Sequence, residues 1–430
     1  MAALQIHVIG LGVEVPAQLS DKIIALLKTA EQVIGWQRHQ DMIAPLLQQV
    51  AFQCVNKLTD VDKLINEYPQ SVLDQQAPIH LCILASGDPL FFGIGKWLQR
   101  YAQQHQLIYY PAVSSVQAAC HRQGISMQDI SVISLHGRPV QSLRRQLKKN
   151  RTLAVLTDQY STPSILAREC IQAGFDQSRI TVHENLGYAD EQSQCYPVAE
   201  LVNRDQNFSA LHVSLIEVKG DGQFSIEFPG IPDAFFETGT TPGKGMISKR
   251  EVRLSILSFM QPSNGDVIWD IGAGCGGVAI ELSYWNSNTQ VFAVEYHPQR
   301  LSCLKQNRER FGVLNNLNII EGKAPESLTG LPAPNKVFIG GNDGELSRLL
   351  DLAWSSLPIG GLLVASGVID STKQALTAFC ETKVQQQQAQ VESLELGVKR
   401  GAVQDGSLSY ASKLPVEIFK LIKTRSEPTL

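Results

Sequence analysis

The sequence predicts an α/β protein built as two halves, and three observations carry that prediction. Residues 266–276 read Asp-Val-Ile-Trp-Asp-Ile-Gly-Ala-Gly-Cys-Gly, a short apolar strand breaking into a glycine-rich turn beside an acid. After residue 231, helical and strand periodicities alternate, the pattern of parallel strands joined by crossover helices. Before residue 220, apolar strand-like runs repeatedly open into small residues at their C-terminal ends, which is where α/β sheets place ligands.

The elements follow in order. Residues 4–9 form an apolar run ending in Gly10-Leu-Gly12. Gly10 and Gly12 alone are equally compatible with an ordinary tight turn. The strand over 79–85 runs into Ser86-Gly-Asp-Pro-Leu-Phe-Phe-Gly93, and that over 107–110 into Pro111-Ala-Val-Ser-Ser-Val-Gln117. Backbone amides at such ends can hold a ligand without large side chains. Asp88 is either a ligand contact or a turn residue fixed by Pro89. A strand over 210–218 precedes a stretch dense in Gly, Pro and Asp. The expected division is therefore 1–220 and 231–430, with 221–230 as linker. Beyond it come a helix over 249–259, a strand over 267–270 and a helix over 277–284. A strand ending at Glu295 follows, then a helix over 298–310 with proline at its first turn. Strands over 317–321, 336–339 and 361–365 flank a helix over 345–356. Strand-like runs over 389–396 and 414–422 complete a parallel doubly wound sheet whose last strands can be antiparallel.

Composition bounds the function. At 430 residues the chain expects two or three domains, and 43% apolar with 18% charged residues describes a globular protein with substantial cores. A formal charge of −4 gives no broad basic face for nucleic acid. The eight cysteines show no C-x-x-C pair and no metal-ligand spacing, so a reducing compartment and no protein-bound metal are expected. No run reaches bilayer length and no basic leader opens the sequence. A cytoplasmic enzyme that does not engage membranes is the expectation.

The glycine turn selects a cofactor class. Gly272, Gly274 and Gly276 leave room for a nucleotide-like ligand, and Glu295 ends the next strand where a carboxylate can take ribose hydroxyls. Gly272, Gly274 and Gly277 also satisfy G-x-G-x-x-G, so a dinucleotide, and with it an NAD-dependent oxidoreductase, stays formally open. Asp270 at the mouth of the turn argues against it, because a carboxylate there repels pyrophosphate. S-adenosylmethionine carries a sulfonium and an ammonium instead, and an acid suits it. Asp270 could alternatively cap the strand end. An RNA-modifying methyltransferase and a non-catalytic nucleotide-binding module are further alternatives, the RNA one disfavoured by the acidic balance.

Two family resemblances cover nearly the whole chain. Residues 1–220 resemble the tetrapyrrole methylases through Val8-Ile-Gly-Leu-Gly12, Ala85-Ser-Gly-Asp-Pro-Leu-Phe-Phe-Gly93, Pro111-Ala-Val-Ser-Ser-Val-Gln-Ala-Ala-Cys-His121, His136-Gly-Arg138 and Glu184-Asn-Leu-Gly187. Residues 231–430 resemble the decarboxylating precorrin methyltransferases through Gly230-Ile-Pro-Asp-Ala-Phe235, Gly245-Met-Ile-Ser-Lys-Arg-Glu-Val-Arg253, Asp270-Ile-Gly-Ala-Gly-Cys-Gly-Gly277, Gly322-Lys-Ala-Pro-Glu326 and Phe338-Ile-Gly-Gly341. The resemblance implies two small α/β subdomains around a cleft, followed by a Rossmann-like class I methyltransferase domain. It further implies methylation of carbons 5 and 15 of a precorrin or cobalt-precorrin macrocycle, decarboxylation of an acetate arm, and one S-adenosylmethionine per domain. A homo-oligomer is expected by the same analogy.

The chain departs from the families in two places. The first turn reads Gly10-Leu-Gly-Val-Glu14 where many relatives have G-x-G-P-G, and Gly340-Gly-Asn-Asp-Gly344 carries an acid, Asp343, that can cap the next helix. The donor contacts implied are Gly10, Gly12, Gly87, Asp88, Ser114 and Ser115 in the first half. In the second they are Ser248, Asp270, Gly272, Ala273, Gly274, Cys275, Gly276, Glu295 on the ribose and Ala324 near the adenine. Cys275 also reads as a small packing residue. A polycarboxylate substrate calls for cations, and of Lys244, Lys249, Arg250, Arg253, Lys399 and Arg400 the expected ligands are Arg253 and Arg400. His121, His136 and His183 are candidate hydrogen-bonding groups, each also compatible with a structural role. No catalytic side chain is singled out.

Overall fold

The computed structural model describes residues 4–46, 50–67, 79–204, 207–224, 226–239, 245–341 and 343–425. Contacts divide the chain into two compact units. The first holds residues up to Gly137 with Asn150–Ile171 and Phe175–Gly220; the second holds Asp221 onward with Arg138–Lys149 and Gln172–Gly174.

The first unit contains two five-stranded sheets. One is wholly parallel, made of β1 (Gln5–Gly10), β2 (Gln32–Gly35), β3 (Phe52–Cys54), β4 (His80–Ala85) and β5 (Gln106–Tyr110). Its order is β3-β2-β4-β1-β5. The central strands β1 and β4 are near-continuous apolar runs, as burial on both faces of a parallel sheet requires. The other sheet is mixed: β6 (Ile130–Ser134), β7 (Thr152–Leu156), β8 (Arg179–Glu184), β9 (Gln192–Pro197) and β10 (His212–Glu217), in the order β6-β7-β10-β8-β9. Only β6 and β7 run parallel there.

The second unit is one seven-stranded sheet with helices on both faces. Its strands are β11 (Val267–Ile271), β12 (Gln290–Glu295), β13 (Leu317–Glu321), β14 (Lys336–Ile339), β15 (Leu362–Gly367), β16 (Ala389–Leu396) and β19 (Val416–Lys423). Strands β17 (Lys399–Gln404) and β18 (Ser407–Ser412) pair as a separate ribbon. The order β13-β12-β11-β14-β15-β19-β16 reverses direction beside β11, which places the topological switch point between β11 and β14. Strand β19 enters antiparallel between β15 and β16, as the apolar runs near the end of the sequence allow.

The predicted elements of this half stand within a residue or two of their observed bounds. Two exceptions stand out: the ribbon of β17 and β18, where a loop was expected at Lys399 and Arg400, and a helix over Asp370–Gln385 that periodicity missed because half its residues are Gln, Thr, Lys or Glu and it buries few. The segment expected as a linker is packed. Ile226 is buried in the main core, Phe224 packs edge-on to Phe235 and Phe311, and the Gly230 amide donates to Glu281 at 2.8 Å. Among the described residues no helix is long and apolar enough to cross a membrane.

Candidate active sites

In the second unit β11 delivers the chain to a sharp turn that only glycine fits. Gly272 has φ +72°, and a Cβ there would sit 2.5 Å from the Gly341 carbonyl oxygen; Gly274 has φ +59°, and its Cβ would meet the Met246 oxygen at 2.7 Å. The turn is braced by Glu295 from the end of β12. Its Oε2 accepts from the Gly274 amide at 2.9 Å, and its Oε1 from the Tyr296 and His297 amides, each at 2.9 Å. Glu295 therefore shapes the turn as well as facing the cavity.

A cavity of about 520 Å³ opens beside this turn, and its wall includes Ser248, Asp270, Gly272, Ala273, Gly274, Glu295 and Ala324. Asp270 is its most unusual group. The residue is 1% exposed and neither carboxylate oxygen has a hydrogen-bond partner. Burial pushes its pKa up to about 7, with the Glu295 charge adding; the Ala279 amide opposes the shift without meeting hydrogen-bond geometry. An orphaned buried acid is expensive unless a ligand compensates it, and a cation is the compensating charge. This does not behave as a strand-end cap.

Other sequence-chosen residues stand behind the wall. Cys275 is buried, its thiol pushed up to about 12 by burial and by Cys303, and its carbonyl accepts from Asn307 at 2.9 Å. Gly276 starts the helix Gly277–Trp285 and packs on Leu304. Both build the turn, and neither is part of the cavity wall. Arg253 is corrected. It is 0% exposed and spent on protein groups, donating to Glu281 (2.9 Å), Asp233 (2.6 Å), the Ser248 carbonyl (2.6 Å) and the Ile231 carbonyl. No substrate carboxylate can reach it. Its place among neighbouring cations gave the sequence no sign that two buried acids awaited it. Arg400 on β17 is half-exposed, lies outside the cavity wall, and pairs with Asp233 at 3.0 Å and Glu251 at 2.5 Å.

Further residues complete the wall: some that sequence reasoning passed over, and Asp343, which it offered as a helix cap. Tyr296, Lys323 and Asp343 lie in the loops after β12, β13 and β14, Arg300 and Thr372 stand in the first turns of the helices Pro298–Arg310 and Asp370–Gln385, and Met246, Val368 and Ile369 come from flanking loops. Lys249 joins them as a cation whose pKa is lowered mainly by burial. Asp343 does not cap the helix Leu346–Ser356. Its carboxylate accepts from the Tyr296 hydroxyl at 2.7 Å and pairs with Lys323 at 3.6 Å, which joins the loops after β12, β13 and β14.

The first unit holds a second cavity, about 190 Å³, bordered by Gly12, Gly87, Asp88, Ser114 and Ser115. Two glycine turns meet there: the Gly87 amide donates to the Gly12 carbonyl at 3.0 Å, and Gly12 to Gly87 at 3.4 Å. Gly10 lies beneath, where a Cβ would fall 2.7 Å from the Gly87 oxygen, so it seats the turn and does not line the cavity. The turn reading of Asp88 prevails for its carboxylate, which accepts from the amides of Leu90 (2.8 Å), Phe91 (3.1 Å) and Ala112 (3.3 Å). Ser114 caps the helix Ser115–Gln123, its Oγ accepting from Gln117 N–H at 3.2 Å. Of the three candidate histidines, His183 alone lines this cavity. It is 0% exposed, its Nδ1 is 2.7 Å from Ser193 Oγ, and its Nε2 has no partner. The Tyr188 hydroxyl on the same wall is likewise unpartnered. Two buried polar atoms on this wall thus have no protein partner among the described residues.

Comparison with known proteins assigns a family to each half of the chain. The tetrapyrrole (corrin/porphyrin) methylase family model matches residues 5–202, and the precorrin methyltransferase domain model matches residues 241–423. A precorrin-6Y C(5,15)-methyltransferase (decarboxylating) from Sinorhizobium sp is 35% identical over 372 residues, covering 86% of this chain and 86% of that protein. Its namesake from Mycobacterium tuberculosis (strain CDC 1551 / Oshkosh) is 31% identical, covering 71% of this chain and 74% of its own length. A probable cobalt-precorrin-6B C(15)-methyltransferase (decarboxylating) from Methanothermobacter thermautotrophicus is 29% identical over 44% of this chain and 93% of its own length. With both halves matched in one order and a relative aligned along most of both chains, this chain belongs to the family of decarboxylating precorrin-6Y C(5,15)-methyltransferases.

Proposed function

We propose that this chain methylates carbons 5 and 15 of a precorrin or cobalt-precorrin macrocycle and removes carbon dioxide from an acetate arm, with one donor pocket in each unit. On this reading residues 1–220 act at carbon 5 and residues 231–430 act at carbon 15 and in the decarboxylation. The observation that carries it is Asp270, a buried carboxylate without a partner facing a glycine-walled cavity at the switch point of the second unit's seven-stranded sheet.

Bound there, S-adenosylmethionine supplies an electrophilic methyl group. Asp270 offsets its positive charge, Glu295 holds Gly274 in place and presents a carboxylate to the ribose side, and the bare turn admits the ligand's close approach. Methyl transfer to carbon is an in-line displacement, so alignment by the walls is the main contribution. The rim suits a flat, acid-bearing ring. Met246 and Ile369 stand 60% and 61% exposed beside the opening, and Lys249, Arg300 and Lys323 line the wall with ammonium and guanidinium donors. Lys249 and Lys323 replace the corrected Arg253 as candidate carboxylate ligands.

In the first unit, Gly12, Gly87 and Ser115 form the donor wall, with His183 Nε2 and the Tyr188 hydroxyl as unsatisfied polar atoms for the ligand. A dinucleotide fits the second unit poorly, because a pyrophosphate at the glycine turn would meet Asp270. Titration calorimetry tests this: S-adenosylhomocysteine should bind and NAD should give no heat. Binding of NAD alone would overturn the reading. Labelled donor incubated with a precorrin must then place label on the macrocycle.

A further inference from the structure

Arg38, His39 and Ser86 meet at the edge of the first unit's cavity. Arg38 and Ser86 are on its wall, and His39 is buried behind them. The strands β2 and β4 are neighbours. The helix Gln37–Ile43 that follows β2 and the loop that follows β4 therefore lie side by side, and they bring these side chains together.

The His39 ring is fixed at both nitrogens. Nδ1 lies 3.4 Å from the Trp36 amide nitrogen, which can only donate, so Nδ1 accepts. Nε2, 2.8 Å from Ser86 Oγ, then carries the ring proton and donates it. Burial, and secondarily the Arg38 charge, push the ring's pKa down to about 4, which keeps this neutral tautomer in place near neutral pH. The Arg38 guanidinium donates to the same Ser86 oxygen. A serine hydroxyl accepts through two lone pairs and donates one proton. With both lone pairs taken, Ser86 has its own proton left to give. Arg38 has further N–H groups beyond the one on Ser86. A guanidinium and an oriented hydroxyl on one wall are donors without an acceptor, and the acceptor they suit is an anionic oxygen pair.

We propose that Arg38 and Ser86, held in register by His39, form a carboxylate-binding subsite at the edge of the first unit's cavity. The proposal rests on reading that cavity as a donor and macrocycle site. The carboxylate belongs either to the methionine end of the donor or to an acid arm of the macrocycle, and the chemistry of recognition is the same. Asp88 on the same wall does not oppose it, because three backbone amides already engage that carboxylate.

The test uses the full chain carrying Gly274→Arg, so that binding reports on the first unit. S-adenosylhomocysteine, methylthioadenosine (which lacks the carboxylate) and uroporphyrin (an octacarboxylate ring) are titrated against this parent and against Arg38→Gln, Arg38→Lys, Ser86→Ala and His39→Gln. A loss of about tenfold or more for S-adenosylhomocysteine in Arg38→Gln, with methylthioadenosine unchanged, assigns the donor carboxylate. The same loss confined to uroporphyrin assigns the macrocycle arm. In either case Ser86→Ala and His39→Gln should lose less, in the same probe, and Arg38→Lys should fall between parent and Arg38→Gln. Unchanged affinities in variants of a parent that binds would overturn the subsite and leave the cavity's role standing. Equal losses for all three probes would mark a purely structural tie and also overturn it. A parent that binds none of them would bring down the cavity reading, and the subsite with it.

Discussion

At the scale of single residues, Asp270 makes the sharpest prediction. Its folded pKa of about 7 lies above the ordinary carboxyl value, so folding disfavours its charged form. The stability associated with the protonated acid is present below the unfolded value, is lost as pH rises toward 7, and changes no further above it. Asp270→Asn removes that dependence. The variant should gain on the native chain between about pH 5 and pH 8, on the order of 3 kcal/mol, in urea unfolding followed at each pH. The same substitution should weaken S-adenosylmethionine more than S-adenosylhomocysteine, because only the former carries the sulfonium. If both ligands lose equally, Asp270 does not face the charge. Gly272→Ala tests the turn itself: with φ at +72° and a carbonyl 2.5 Å from the new methyl group, it should lose donor binding in the second unit.

At the scale of elements, the Arg253 network sets what can be changed. The guanidinium ties the helix Arg250–Met260 to the helix Gly277–Trp285 and to the segment at 231–233. Arg253→Met leaves Glu281 without its charge partner and should cost about 3–5 kcal/mol, read from the urea midpoint. This network also shows where the sequence stopped being legible. Strands and helices of the second unit were readable because glycine turns, a helix-starting proline and apolar runs all pointed one way. The cavity-lining Asp270, Gly272, Gly274 and Glu295 were readable for the same reason, since they end those elements or form the turn between them, whereas Ser248, Ala273 and Ala324 came from the family resemblance. Arg253 was misread because burial and pairing are tertiary facts, and an arginine's spacing is the same whether it faces solvent or Glu281. Tyr296 and Lys323 were missed, and Asp343 was read as a helix cap, because their association joins three separate strand ends. Arg38 and His39 were missed because nothing in their spacing announces Ser86, which lies 48 and 47 positions further along the chain.

At the scale of the whole molecule, the two cavities are lined by residues of different units. Each should therefore fail separately. Gly274→Arg fills the second unit's cavity and should abolish one methylation together with carbon dioxide release. Ser115→Arg obstructs the first and should abolish the other methylation alone. Mass spectrometry of the products, read as the number of added methyl groups and the presence of the acetate arm, checks both. Loss of both methylations from either substitution would mean that the activities are not separable.

The position of β19 has a consequence for biosynthesis. That strand comes last in the described sequence yet fills the gap between β15 and β16, with neighbours hydrogen-bonded on each side. Until the ribosome has released Val416–Lys423, β15 presents an unpaired apolar border and β16 has nowhere to dock. A message truncated ahead of codon 416 should therefore yield inclusion bodies instead of a trimmed enzyme, and chaperone demand should persist until that strand has been translated.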